Sequence, residues 1–447
     1  MKFKKPNLTF SQIINMNVGF FGIQYSFGLQ QNAVTPIYDM LGAAPDQIPL
    51  LHLAGPVTGL LVQPIIGALS DKTWHPRWGR RKPYFLVGAI MCSVCLLVYP
   101  FSSSLWMAAG LLWILDAGNN TAMEPYRAFI ADKLNPEQQG LGFQTQSFFT
   151  GFGQTLANLS LFIFPFLLVG KTGSLPNWVY ASFFLGAVCS IGSILWSMKT
   201  TPEIPPTDEE LEEMKKEPFS ILTPFREVPA AIRDMPRVMW QLALVYLFQW
   251  YALFCYWQNS SKSIALSVWD ATPKTNPEIY QEAVGWTGLV NGWYNIVTFM
   301  TAFGLAWLAK KYNAKYVHFI CLILAAIGFL AFPNIENKYL LFVAITGFGV
   351  GWASMMGIPY LMVVADMPKE RYGVYMGIIN MMIVIPMILQ TLTFGYILRE
   401  FLDNDPRNAI TFGGVLLLLA AAATLLIKPS KNELSGETAP KNGALKE

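Results

Sequence analysis

Apolar runs of about 20 residues alternate with short polar stretches from residue 11 to residue 427. A run of that length crosses a hydrocarbon core of about 30 Å as a helix. The pattern therefore predicts twelve membrane-spanning helices, at 11–34, 48–69, 84–101, 105–127, 140–168, 177–198, 236–259, 284–309, 315–333, 338–364, 372–397 and 409–427. One long connection breaks the rhythm: Thr200–Met235, polar and proline-rich (TPEIPPTDEELEEMKKEP). It divides the chain into a six-helix bundle at 1–199, a linker at 200–235, a second six-helix bundle at 236–428 and a tail at 429–447. Asp208–Glu217 has the composition of a short surface helix, although a solvated linker between two bundles is the simpler reading.

The fourth span departs from the apolar pattern. Leu115–Asp132 reads LDAGNNTAMEPYRAFIAD. At about 100° per residue, Asp116, Asn120, Glu124 and Arg127 fall within roughly 80° of one another, so one face of this membrane helix is polar. A charge at the bilayer centre costs about 2.5–3.5 kcal/mol on insertion scales, and such residues usually face a wet cavity and act there. Asp116 has two readings: a buried acid held by Asn119, Asn120 or a neighbouring helix, or a group that titrates during function. Low-dielectric surroundings disfavour the charged form of a carboxylate, which suits an acid that takes a proton from one side and releases it to the other. Glu124 and Arg127, spaced i, i+3, can pair, as a structural ion pair or as part of coupling. Pro125 removes one backbone hydrogen bond beside this face.

Composition supports the membrane assignment: of 447 residues, 53% are hydrophobic and only 13% charged, against about 25% charged in a soluble domain. Lys2, Lys4 and Lys5 precede a polar start without a cleavable signal pattern. Basic residues crowd one set of connections: the N-terminus, Lys72–Lys82, Lys133, the linker, Lys310–Lys315, Lys369–Arg371 and Lys428–Lys431. The opposite connections hold only Lys171, Lys262, Lys274, Lys338, Arg399 and Arg407. The positive-inside rule places both termini in the cytoplasm of a multi-pass protein of the cell membrane. The net charge of +3 adds nothing, and no feature points to nucleic acid.

An internal echo links the halves. Pro125-Tyr126 with Ala131-Asp132 recurs, 234 residues later, as Pro359-Tyr360 with Ala365-Asp366. Two six-helix halves related about the membrane normal are the arrangement of major facilitator transporters. The loop after the second span, GALSDKTWHPRWGRRKP, resembles that superfamily's loop signature at Gly67, Asp71, Gly79, Arg80 and Arg81, with an insertion. It puts a carboxylate at a helix end beside arginines, an ion-pair network able to break and reform as the halves rock.

Four further stretches are similar to the sucrose and α-glucoside:proton symporter branch, which includes plant sucrose transporters and is related to the glycoside-pentoside-hexuronide permeases. They are Gly22–Gly42 (GIQYSFGLQQNAVTPIYDMLG), Gly55–Gly67 (GPVTGLLVQPIIG), Asp116–Asp132 and Gly373–Pro386 (GVYMGIINMMIVIP). The lean termini resemble bacterial members. The resemblance implies a secondary active transporter taking up an α-glucoside disaccharide, maltose or sucrose, with a proton by alternating access. It implies an all-α major facilitator fold, no cofactor beyond the proton as coupling ion, and Asp116 as the proton site. Two departures stand out. The fifth span lacks the membrane arginine that plant members use for sugar, and Ile48–Leu69 lacks the acids through which melibiose-type permeases couple sodium.

Sugars require planar apolar faces and neutral hydrogen-bonding groups. Spans 1, 4, 5, 7, 8 and 11 carry an excess of amides, and these helices line the cavity in the resembled fold. Any single amide also serves as glue between helices. The candidate sugar ligands are Gln24, Asn119, Asn120, Asn291 and Asn295, followed by Asn380. Asp71, Arg80, Arg81, Glu124, Arg127, Asp132 and Asp366 are candidates for gating or ion pairing.

Other motifs have plainer explanations. Gly347, Gly349 and Gly351 lie in an apolar span without βαβ context. Asn119-Asn120-Thr121 fits a glycosylation motif but sits in the membrane. Met381, Met382 and Met387 pack, and Cys92 and Cys95 are small apolar residues on one helix. No His/Cys/carboxylate cluster has metal-ligand spacing, and no nucleophile–base pair suggests an enzyme. A monomer is expected. The alternatives are a facilitator or exporter of another small solute and a sugar sensor built on a transporter fold.

Overall fold

A computed structural model describes residues 5–42, 53–216, 223–272 and 275–428. Twelve long helices form two groups of six. The first group is α1 (Phe10–Met40), α2 (Ala54–Asp71), α3 (Lys82–Val98), α4 (Leu105–Lys133), α5 (Pro136–Leu167) and α6 (Asn177–Thr200). Two short helices follow in the linker, α7 (Asp208–Lys216) and α8 (Thr223–Arg233). The second group is α9 (Arg237–Trp269), α10 (Pro277–Lys311), α11 (Ala314–Ala331), α12 (Leu341–Val364), α13 (Tyr372–Phe401) and α14 (Pro406–Thr424). A two-residue antiparallel pair, Lys171–Thr172 with Leu175–Pro176, joins α5 to α6.

Several helices begin on local chemistry. Asn135, Asn276 and Asp405 each precede a proline and accept a backbone N–H within the first turn, from Gln138, Ile279 and Arg407 respectively. The side chain caps one orphan donor, and proline at the first helical position has no N–H to lose. The linker carries more helix than a solvated connection would: α7 covers most of Asp208–Glu217, and α8 carries Pro224 and Pro229, which disguise its amphipathic spacing.

The two groups pack alike. In the first, α1 contacts α5 and α6, α3 contacts α4 and α6, and α2 contacts α4; in the second, α9 contacts α13 and α14, α11 contacts α12 and α14, and α10 contacts α12. Each contact maps onto its counterpart six spans later. Between the groups, α2 packs on α13 and α5 on α10, again a matched pair, as do α4 on α13 and α12 on α5.

Apolar side chains on the outside of α3 (Val87, Ile90, Val94), α6 (Val188, Leu195), α11 (Ile320, Ile327) and α14 (Val415, Leu419) are exposed. Such a belt would be an aggregation surface in water and is the lipid-facing surface of a membrane protein. Among the described residues, seven helices are long and apolar enough to span a membrane by composition alone: α3, α6, α9, α11, α12, α13 and α14. The other five, α1, α2, α4, α5 and α10, carry polar residues towards the protein interior, four of them in the first group.

Lys5, the linker helices and Lys428 gather at one end of the molecule. The ammonium of Lys5 donates to the Ala131 carbonyl at the end of α4. Glu227 of α8 lies by Lys72 and Arg371, and the Lys428 N–H donates to Gln241 at the start of α9. This is the basic end. Burial lowers the Lys5 ammonium from its ordinary value, while nearby Asp132 pulls it back up.

Candidate functional site

Polar residues of α1, α2 and α4 meet inside the first bundle. Asp116 is 1% exposed. Its Oδ1 accepts a 2.7 Å hydrogen bond from Gln30 Nε2 of α1, and its Oδ2 has no hydrogen-bond partner among the described residues. Gln30 is half-buried. Asn119 Nδ2 donates to Ser26 Oγ at 3.1 Å and, more weakly, to Gln30 Oε1 at 3.5 Å, while its Oδ1 accepts from Cys92 Sγ. Asn120 Nδ2 donates to Thr58 Oγ1 and to the Asp116 carbonyl, and its Oδ1 accepts from Gln63 Nε2. The amides predicted on α4 are therefore engaged with neighbouring helices, and the group reaching the Asp116 carboxylate is Gln30. Gln30 belongs to the amide excess of the first span and had no signal of its own, because no spacing rule reports that α1 crosses α4 at this height.

The remaining candidate ligands make other contacts. Gln24 Oε1 accepts from Gln154 Nε2 of α5 at 3.0 Å. In the second bundle, Asn291 Oδ1 accepts from the Tyr256 hydroxyl, and Asn295 Nδ2 donates to the Asn291 carbonyl. Asn295 Oδ1 is buried without a hydrogen-bond partner among the described residues, as are the indole nitrogens of Trp250 and Trp352. Those two indoles and Trp257 form a chain of edge contacts with centroids 5.7 and 5.6 Å apart. Asn380 of α13 reaches across the bundles to donate to the Gly59 carbonyl of α2 at 2.8 Å.

Two turns below Asp116, Glu124 and Arg127 form a buried pair, Nη1 to Oε1 at 2.7 Å. The Arg127 guanidinium lies 5.0 Å from the ring centre of Tyr360, on α12 of the other bundle. Glu124 Oε2 and the Tyr246 and Tyr360 hydroxyls have no hydrogen-bond partner among the described residues. The pair predicted from i, i+3 spacing thus sits in the plane where the bundles meet.

The basic end closes with a further network. Arg81, fully buried, binds Asp71 through Nη2 at 2.6 Å and Asp132 through Nε at 2.7 Å. The Asp71 carboxylate also accepts the backbone N–H groups of Gly373 and Val374, both at 2.9 Å, at the start of α13. An anion on a helix N-terminus satisfies orphan donors and complements the helix dipole. Gly67 and Gly373 allow this approach, since a methyl on either would overlap the other's backbone. Arg80 joins through its backbone: its N–H and those of Arg81 and Lys82 donate to the Glu203 carboxylate, which thereby anchors the linker to the start of α3. Glu203 gave no sequence signal, because it caps a helix about 120 residues away. Asp366, half-buried on the turn after α12, has no ion-pair partner among the described residues.

No group of three or more His, Cys, Asp or Glu that could hold a metal occurs among the described residues. What the arrangement offers is a buried carboxylate held by a neutral amide, a paired carboxylate at the bundle interface and a carboxylate clasping the other bundle's helix.

Comparisons with known proteins converge. The profile of the Major Facilitator Superfamily matches residues 16–391. The chain is similar to the sucrose transport protein SUT5 of Oryza sativa subsp. indica, 23% identical, over 93% of this chain and 87% of that protein. It is also similar to the sucrose transport protein SUC4 of Arabidopsis thaliana, 22% identical, over 91% and 89%. Among solved structures, FucP, a transporter captured in the outward conformation, superposes with a TM-score of 0.69 at 13% identity, over 94% of this chain and 99% of that one. The proton:xylose symporter XylE, bound to 6-bromo-6-deoxy-D-glucose, gives 0.65 at 14% identity, over 94% and 96%. These structural likenesses concern the fold.

Proposed function

The chain belongs to the Major Facilitator Superfamily, and from that premise we propose that it takes up an α-glucoside disaccharide, sucrose or maltose, together with a proton by alternating access. Its similarity to plant sucrose transport proteins over nine-tenths of the chain supports the substrate class. The observation that carries the coupling is Asp116: a buried carboxylate with no cation partner among the described residues, one oxygen unpaired, and a half-buried amide on the other. Asp71, Asp132 and Glu124 are all bound to arginine, whereas Asp116 lies deep in α4 with no such partner among the described residues.

In this reading the proton enters onto Asp116 from the side opposite the basic end. Sugar enters between the bundles, where Gln24, Asn291, Asn295 and Asn380 supply amide edges, while Asn119 and Asn120 hold α1 and α2 against α4. The bundles then rock, and the Asp71–α13 clasp and the Arg127–Tyr360 contact part to let both ligands out. The lysine-rich end is the cytoplasmic one, by the positive-inside rule, and the protein works as a monomer in the cell membrane. The proton is the coupling ion.

Counterflow of labelled sucrose, maltose, trehalose and glucose in proteoliposomes tests the substrate. Exchange of sucrose or maltose is expected, and exchange of none of the four would reject the sugar assignment. Asp116→Asn is expected to retain exchange while losing accumulation driven by a pH gradient. Accumulation unchanged in that variant would remove Asp116 from the mechanism.

A further inference from the structure

We propose that Gln30 is the positioning residue through which the proton on Asp116 and the sugar in the cavity sense one another. The inference rests on Asp116 as the proton site and adds the element that makes its occupancy depend on substrate.

The geometry is specific. Gln30 Nε2 donates to Asp116 Oδ1 at 2.7 Å, and Gln30 Oε1 faces Asn119 Nδ2 at 3.5 Å. Asn119 donates to Ser26 and to Gln30 itself, and Asn120 to Thr58 and the Asp116 carbonyl, so neither amide donates to the Asp116 carboxylate. Gln30 is half-buried where Asp116 is 1% exposed, so the amide covers the acid on its more open side. Oδ2 lies towards Gly55 of α2, where even an added methyl would stand 3.6 Å away. Facing the carboxylate from the packed helices are the titratable groups Tyr38 of α1 and Cys92 of α3, while α2 contributes the neutral Gly55 and Thr58. No lysine, arginine, histidine or second carboxylate among the described residues pairs with it.

A hydrogen bond donated to a carboxylate favours its charged form. While Gln30 holds Oδ1, the bond favours the ionised form of Asp116 over the protonated one. A hydroxyl-rich substrate at the half-buried amide competes for the same N–H. When it wins, the carboxylate loses the side-chain donor it has among the described residues and accepts a proton from water onto an oxygen. One O–H bond forms there, and the proton leaves bulk solvent. The amide can also turn and present Oε1 to the new O–H, since glutamine both donates and accepts. Linkage makes the effect reciprocal: if sugar raises proton affinity by some factor, the proton raises sugar affinity by the same factor. Gln30 thus supplies cooperativity with no cation beside the acid.

The test uses the purified full chain in nanodiscs and weakly buffered solution. Sucrose, with maltose in a parallel series, is titrated while a pH dye reports proton uptake and tryptophan fluorescence reports binding. Wild type should take up protons as sugar binds. Gln30→Met keeps the length of the side chain and removes both amide groups. It should still bind sugar, but with proton uptake per bound sugar reduced about fivefold or more, and with an affinity that no longer differs between acid and alkaline buffer. Gln30→Ser serves if the methionine variant does not fold, with the same expectation. Wild-type proton uptake in a folded Gln30 variant overturns the proposal, provided Asp116→Asn abolishes that uptake. If Asp116→Asn still takes up protons with sugar, the proton-site reading fails and this inference with it. Absence of binding of both sugars to wild type rejects the substrate class and likewise ends the proposal.

Discussion

Helices α4 and α12 hold equivalent places in the two bundles. Each packs on the preceding helix of its bundle, and each reaches the other bundle, α4 at α13 and α12 at α5. Their shared residues are architectural: Pro125 and Pro359, Tyr126 and Tyr360, Asp132 and Asp366. Their differences are chemical. Where α4 has Asp116, Asn119, Asn120, Glu124 and Arg127, α12 has Val350, Ala353, Ser354, Ile358 and Leu361. One repeat therefore has an apolar packing helix while the other carries a face of carboxylates, amides and an arginine. The same division extends further: the second bundle answers with an interior cluster of indoles at Trp250, Trp257 and Trp352. A rocking mechanism needs both halves to match in shape, whereas coupling needs only one of them to titrate.

The sharpest way to break the comparison is to rewrite part of α4 as α12. Arg127→Leu leaves Glu124 buried without its cation, and breaking one side of a buried pair costs about 3–5 kcal/mol. The unfolding midpoint should fall strongly, as followed by a thiol-reactive dye; four of the five cysteines are buried until the fold opens. The double change Glu124→Ile with Arg127→Leu, which installs the residues of α12, removes both charges and should recover most of that loss. If the double variant is no more stable than Arg127→Leu, the pair matters for something other than mutual neutralisation.

How far the sequence could carry this comparison depended on the kind of signal. Twelve spans were legible because lipid imposes long apolar runs, and the polar face of α4 was legible because it violates that rule. Helix ends were underestimated where polar residues continue a helix beyond the apolar run: α4 runs to Lys133 and α9 to Trp269. The Glu124–Arg127 pair followed from local spacing, but its stacking on Tyr360 did not, because that contact joins residues more than 200 positions apart. Asn119 and Asn120 read as candidate ligands from their type alone. Their hydrogen bonds to Ser26, Thr58 and Gln63 depend on which helices cross α4, and no pattern within α4 encodes that.

A second intervention probes where the bundles touch. A methyl on Gly373 would collide with the Gly67 carbonyl, the Arg81 guanidinium and the Asp71 carboxylate. Gly373→Ala should push the start of α13 off α2 and weaken the two hydrogen bonds that Asp71 accepts. Overpacking of this kind costs about 1–3 kcal/mol. Gly140→Ala is the control from the same end: its added methyl would meet only the flexible tip of Leu361, at 3.2 Å. A lower unfolding midpoint in the first variant and a near-native one in the second is expected. Equal midpoints would show that the clasp yields without cost.

The smallest effect belongs to the ends of the two repeat helices. Asp132, in the last turn of α4, is bound to buried Arg81, whereas Asp366, after α12, has no such partner among the described residues. On that side Arg371 pairs instead with Glu227 and Asp234 of the linker, at 3.5 and 3.4 Å, and Glu227 also lies 3.8 Å from Lys72 of the first bundle. A linker helix thus ties the two bundles where the second repeat lacks its own arginine. These groups are partly exposed, and pairs of this kind are worth about 0.2–1 kcal/mol and weaken with salt. Glu227→Gln should therefore lower the unfolding midpoint slightly in dilute buffer and not at all at high ionic strength. A large drop that persists in salt would mean that α8 holds the basic end as firmly as the Arg81 network does, and the two repeats would then close by equivalent means.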